Sequence, residues 1–234
     1  MWLLCACSSN NPPAANGNDP AEPAFSAELF STASSNVDNP YFPLVPGTVQ
    51  IYEIVTEDET EIVVVEVLDE TRTVAGVVCV VVRDRVYVDE LLIEDTHDWY
   101  AQDDEGNVWY MGEEVVNYEY DDDGNLEETN DDGSWESGVD GAEPGIAMWA
   151  APVIGAPYRQ EFYEDEAEDM AVVVATDATV ILGDGTIYVN CLQILEWSPL
   201  EPFAVEYKYY ASGVGVVLED KVGTDERVEL TDFS

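Results

Sequence analysis

The chain has 234 residues and carries 51 Asp plus Glu against 7 Lys plus Arg, a formal net charge of −44. A surface this acidic repels phosphate backbones and anionic lipid headgroups, which excludes nucleic-acid binding and electrostatic attachment to a membrane and makes cations the natural partners. With 46% hydrophobic and 11% aromatic residues the chain still has material for a packed core, so the carboxylates belong on a folded body and not on a disordered one. Salt screens such repulsion within about 10 Å at roughly 0.1 M, and a halophile-like surface is the plainest account of the charge.

In chain order the first element is an address. Leu4, Cys5 and Ala6 directly precede Cys7, a pattern that resembles the lipobox of bacterial lipoproteins and makes Cys7 the predicted site of lipidation. Residues 1–7 read as a truncated signal, because a full one carries a basic segment and an apolar run of about 7–15 residues. Residues 8–40 are rich in Pro, Asn, Ser and Ala without apolar period, the composition of a flexible polar linker. The predicted location is extracytoplasmic, with the membrane reached only through the lipid.

Residues 41–234 read as a single all-β domain. Short runs of Val, Ile, Tyr and Trp alternate with acidic Gly turns, the pattern of antiparallel strands and hairpins. Strands are expected at 48–55, 60–69, 76–89, 91–102, 107–111, 114–120, 157–163, 171–176, 178–182, 186–197, 203–211, 214–220 and 226–231. Residues 142–157 read as a long loop and 164–170 as a short helix or coil. An antiparallel meander of about 10–13 strands must curl into an incomplete barrel, or split into a β-sandwich, to bury one face; the barrel is the expected form. After cleavage and acylation, Cys79 and Cys191 would remain, either as a disulfide pair or as two buried thiols.

Four phrases, NPYFPLVPGTVQIYE (39–53), DWYAQDDEGNVWYMGE (98–113), GSWESGVDGAEPGI (133–146) and PLEPFAVEYKYYASGVGVVLE (199–219), resemble a family of uncharacterised secreted or lipid-anchored bacterial proteins. Gln50 departs from that pattern, which has an aromatic residue in the opening strand. The resemblance implies a fold and a location and brings no activity.

The most concrete candidate site is a divalent-cation loop. Glu119, Asp121, Asp123 and Gly124 fall at positions one, three, five and six of an EF-hand-like loop, whose alternating oxygens converge on Ca²⁺. Position twelve is Asn130, where that loop has a bidentate Glu. An echo at Glu128, Asn130, Asp132 and Gly133 ends on Val139. A third acidic turn, Asp103, Asp104 and Glu105 before Gly106, has Ala101 in first place. The metal candidates are therefore Asp103, Glu105, Glu119, Asp121, Asp123 and Asp132. A second candidate is aromatic: Trp99, Trp109 and Trp135 share this segment with the carboxylates and suit a glycan platform or an apolar ligand held by a curled sheet. Arg159 is a candidate recognition residue, with Glu161 two places on along the same strand face, and Arg83 and Arg85 flank Asp84. His97 stands in an acidic turn. Nucleophile elbows, zinc-protease signatures and phosphate-binding glycine loops are missing from the sequence. The sequence thus predicts a lipid-anchored, extracytoplasmic, non-catalytic binding protein with an acidic, Ca²⁺-binding hairpin region. The alternatives are a carrier of an apolar or lipid ligand and a structural envelope protein.

Overall fold

The computed structural model describes residues 24–55, 60–201 and 203–234. The signal-like residues 1–7, with Cys7, and the spacer up to residue 23 lie outside the described residues.

Among the described residues, fifteen strands hydrogen-bond into one sheet. They are β1 (Val49–Val55), β2 (Thr60–Val74), β3 (Val77–Val88), β4 (Leu91–Gln102), β5 (Val108–Tyr120), β6 (Leu126–Asn130), β7 (Trp135–Glu136), β8 (Glu143–Met148), β9 (Tyr158–Arg159), β10 (Glu161–Phe162), β11 (Met170–Ile181), β12 (Ile187–Trp197), β13 (Val205–Ala211), β14 (Gly215–Lys221) and β15 (Arg227–Phe233). Neighbours run in the order β10-β8-β5-β4-β3-β2-β1-β15-β14-β13-β12-β11-β9, with β6 and β7 added to β5. The pairing of β1 with β15 joins the two ends of the meander, so the sheet is nearly closed into a barrel with one unsealed seam, as the incomplete-barrel reading expected.

The seam is spanned by residues 158–162. Tyr158 and Arg159 pair with β11, Glu161 and Phe162 pair with β8, and Gln160 between them donates its backbone N–H to Asp169. The crossing is tight: a Cβ on Gly145 of β8 would lie 2.4 Å from the Gln160 carbonyl carbon. Only glycine lets the two backbones approach so closely.

The sequence reading split 107–120 into two strands, whereas β5 runs through Gly112 at φ +131°. This residue is where β5 exchanges β8 for β7 as its partner. A side chain there would strike the Trp135 carbonyl oxygen at 2.4 Å. The expected loop at 142–157 contains β8, because Pro144 and Gly145 sit where β5 and the seam segment enclose them. Of the residues expected as a short helix or coil, 164–169 take the coil form, a turn that leads into β11 at Met170.

The linker expected at 8–40 does not extend to residue 40. From residue 24 the chain packs on the barrel: Phe25 and Phe30 set their ring edges against Trp109 at 5.7 and 6.0 Å, and Val37 is 2% exposed. Asn39 donates to the carbonyls of Gly106 and Trp149, and the Ser34 hydroxyl donates to the Val78 carbonyl. A few anchors spaced far apart leave no period in the sequence, yet they satisfy rim carbonyls that would otherwise be unpaired.

The apolar core forms two main clusters. One gathers Val80, Val82, Met111, Ile146, Tyr158, Leu192, Ile194 and Tyr210; the other gathers Tyr52, Val63, Val86, Leu218, Val228 and Leu230. Cys79 belongs to the first and Cys191 to the second, and both are free thiols, so the disulfide alternative is not realised.

Candidate functional site: a carboxylate-lined barrel interior

Strand alternation sends every second residue to the opposite face, and on β3 this separates charges that the sequence places side by side. Arg83 reaches Asp95 at 2.6 Å and Arg85 reaches Glu66 at 3.2 Å, while Asp84 between them shares its face with Val82 and Val86 of the two core clusters. The cross-strand register extends this inward face. Val67, Val82, Asp98, Glu113 and Trp135 follow one another across β2, β3, β4, β5 and β7. The next row is Val80, Tyr100, Tyr110 and Gly145. On the far wall Glu219, Lys208 and Ile194 form a row, beside Glu206, Glu196, Ala171 and Tyr158. Protein surrounds these side chains, yet several keep accessible surface: Lys208 is 20%, Glu206 21% and Glu219 12% exposed in the side chain.

The far wall carries a cation of its own. The Lys208 ammonium lies 3.0 Å from Glu196, 3.2 Å from Glu206 and 3.8 Å from Glu219. Burial alone would lower its pKa, but the three carboxylates override that and hold it well above its usual value. Burial pushes Glu219 up to about 7, with Lys208 opposing.

The near wall is not neutralised. Burial raises Asp98 to about 6 against a hydrogen bond from the Tyr110 hydroxyl at 2.7 Å, and raises Glu113 to about 7, with Asp98 adding to the rise. Burial holds Glu161 well above its ordinary value, and Asp169 and Glu113 push the same way. Asp84 is raised by burial and then by Asp98 and Glu94. No Lys or Arg is left for this wall. Each of the seven basic residues is paired elsewhere: Arg72 with Glu114 and Glu136, Arg83 with Asp95, Arg85 with Glu66, Arg159 with Glu143, Lys208 as above, Lys221 with Glu226 and Arg227 with Glu229. Several interior polar atoms have no hydrogen-bond partner, among them Asp84 Oδ1, Glu161 Oε2, Trp135 Nε1 and the Tyr158 hydroxyl. Glu161, Trp135 and Tyr158 are only 7%, 4% and 2% exposed. Buried polar atoms of native proteins are nearly always satisfied, so such a group of exceptions calls for an explanation. Aromatic rings flank it: Tyr100 stacks on Tyr110 at 4.9 Å, and Trp135 meets Tyr110 edge-on at 5.3 Å.

The residues singled out from sequence are placed differently. The turns at Asp103 and Asp121 are two copies of one device. In each, Asp Oδ1 accepts the backbone N–H groups two and four residues on, and an Asn side chain donates to Oδ2. Asp103 is 7% exposed and also accepts from Trp109 Nε1 at 2.9 Å. Glu105, Asp123 and Asp132 are exposed, and Glu119 accepts from Asn130 Nδ2. These six acids do not converge, and among the described residues no three His, Cys, Asp or Glu are placed to hold a metal ion. Trp99 lies under Arg72 at 3.8 Å, and Trp109 lies under Phe25 and Phe30, so both serve packing. Trp135 alone of the three faces the polar interior. Arg159 pairs with Glu143 and covers Phe162 at 4.8 Å; it does not neutralise Glu161, because the chain changes partners at Gln160 between them. His97 stands opposite Arg83 and Glu114 on the other face of β4.

Asp84, Asp98, Glu113 and Glu161 were not singled out as a group from sequence. The available signal was polar residues falling in phase with inward apolar ones, as in Val82-Arg83-Asp84-Arg85-Val86. Compared with protein-family models, curated proteins and solved structures, the chain matches none.

Proposed function

We propose that this chain is a lipid-anchored, extracytoplasmic, non-catalytic binding protein that holds a small polar ligand inside the barrel. The observation that supports it lies inside the barrel, where buried groups of Glu161 and Trp135 on the near wall and of Tyr158 on the far wall lack hydrogen-bond partners. Polar groups fixed in an enclosed, aromatic-lined space are how small-ligand sites achieve orientation and specificity. An apolar or lipid cargo fits less well, because it would leave those groups unsatisfied.

The test is a thermal-shift series on the full chain with neutral, anionic and cationic small molecules. A saturable rise that Glu161→Ala removes and Asp123→Ala leaves intact is expected. No saturable ligand, or a loss on Asp123→Ala alone, overturns the proposal. In the producing cell, Cys7→Ser should move the protein from the membrane to the soluble fraction; unchanged partition removes the anchor.

A second reading has its own observation. Asp98 and Glu113 are neighbouring carboxylates with raised pKa, which is how acid and base groups of hydrolases are recognised. They sit side by side on adjacent strands, however, and do not face each other across a cleft as an acid and base pair would. Turnover of a glycoside that Glu113→Gln abolishes would replace binding by catalysis. Ca²⁺ at the 119–132 hairpin remains a competing proposal; Asp121 already serves as acceptor for its own turn.

A further inference from the structure

We infer that the ligand is a small organic ammonium ion, held between the carboxylates of Asp98, Glu113 and Glu161 and the rings of Tyr100, Tyr110 and Trp135. This rests on the proposal that the barrel interior is a binding site, and it assigns the ligand's charge and class.

Four observations carry it. The near wall presents carboxylates on neighbouring strands, and every Lys and Arg of the chain is paired elsewhere. Buried carboxylates are stable as anions only with a counter-charge; protons supply it at low pH, and where these groups ionise the chain has no Lys or Arg left to do so. Glu161 Oε2 is unpartnered within a side chain that is more than nine-tenths buried, and Trp135 Nε1, equally buried, is close enough to oppose the rise in the Glu161 pKa without completing a hydrogen bond. Finally, no group of three carboxylates, His or Cys among the described residues converges as a metal ion requires. Spread acids with aromatic faces between them suit a larger, weakly hydrated cation, which gains from the ring quadrupoles as well as from charge.

Binding of this kind is linked to protons. Glu113 faces Asp98, Glu94 and Tyr100 from β4, Tyr110 on its own strand, Trp135 from β7 and Glu161 from β10, with Asp84 and Asp169 nearby. A cation stabilises the ionised forms, so its affinity should fall as the pH drops from 8 to 5.

The test uses the full chain at fixed ionic strength, titrated calorimetrically with choline and with 3,3-dimethylbutan-1-ol, its uncharged counterpart of the same shape. Choline should bind saturably, at least tenfold tighter than the alcohol, and more weakly at pH 5 than at pH 8. Glu113→Gln should weaken choline at least tenfold while its thermal midpoint stays at or above that of the parent. Equal binding of the two molecules, or binding of the alcohol alone, overturns the cation and leaves the interior site standing. Choline binding that Glu113→Gln leaves intact reflects surface charge and overturns the inference. Failure of choline while a neutral or anionic molecule binds with Glu161 dependence also overturns it alone; failure of all three classes brings down both proposals.

Discussion

Asp103 and Asp121 offer a matched experiment, because the same turn is built once inside the packing and once in solvent. Asp103→Asn keeps Oδ1 for the backbone donors of Glu105 and Asn107, at 2.9 Å each, but turns an NH₂ toward Asn107 Nδ2 and Trp109 Nε1, which now lie 2.8 and 2.9 Å from Oδ2. Two charge-assisted bonds are lost, and the Trp109 donor, in a side chain 3% exposed, is left without water or acceptor. Bonds to charged groups contribute about 1.5–3 kcal/mol each, and a stranded buried donor adds a similar amount. Allowing for relaxation, the substitution costs on the order of 3 kcal/mol. For a chain of this size that corresponds to a midpoint lower by roughly 6–12 °C. Asp121→Asn removes the matching bonds from Asn125, whose amide turns to water, so the change should stay within the scatter of repeat scans. The assay is urea unfolding followed by tryptophan fluorescence at one ionic strength, with thermal scans beside it. An Asp103→Asn midpoint within 2 °C of the parent on the scale of about 2–4 °C per kcal/mol, or an equal loss in Asp121→Asn, would refute the assignment of the first turn to packing.

The remaining predictions concern charge and thiols. Because Asp98 and Glu113 are raised to about 6 and about 7 in the folded state, the fold binds protons more readily than the unfolded chain, and stability should be lost as pH rises from about 4.5 through 7. Surface repulsion has the same sign, so the variant decides: Glu113→Gln should gain up to roughly 3 kcal/mol at pH 8 and nothing at pH 4.5, by urea unfolding at both. An equal gain at the two values excludes the buried proton. Lys208→Met leaves Glu196, Glu206 and Glu219 without their counter-ion and should cost on the order of 3 kcal/mol at pH 7.5, shrinking toward pH 4.5 as the acids protonate. A pH-independent loss would make the lysine a packing residue only. CaCl₂ and NaCl at equal ionic strength should raise the thermal midpoint alike; an extra saturating rise with CaCl₂ that Asp121→Asn removes would restore the hairpin calcium site. Because Cys79 and Cys191 are separate thiols, reductant should leave the midpoint unchanged, and a fall would mean that they pair.

Sequence by itself determined the class of object. Alternating Val, Ile and Tyr runs, broken by Gly turns, dictated an antiparallel all-β meander, because strand periodicity and turn chemistry are local properties of a few adjacent residues. It also dictated the acidic exterior, and the turn signals at Asp103-Gly106 and Asp121-Gly124 marked real turns. What lay beyond it was pairing over distance. The joining of β1 to β15, the change of partner at Gln160 and the packing of Phe25 and Phe30 on Trp109 link residues far apart in the chain, and no local pattern encodes them. The site was hidden for the same reason. In a chain with 51 acids no single Asp or Glu stands out. Only closure of the sheet separates those facing salt from those facing each other, and only the ion pairs of all seven cations show that Asp98, Glu113 and Glu161 are left without one. Tertiary structure turned a uniform surplus of charge into a distinct interior wall, because the energy of a carboxylate depends on what surrounds it and not on its place in the chain.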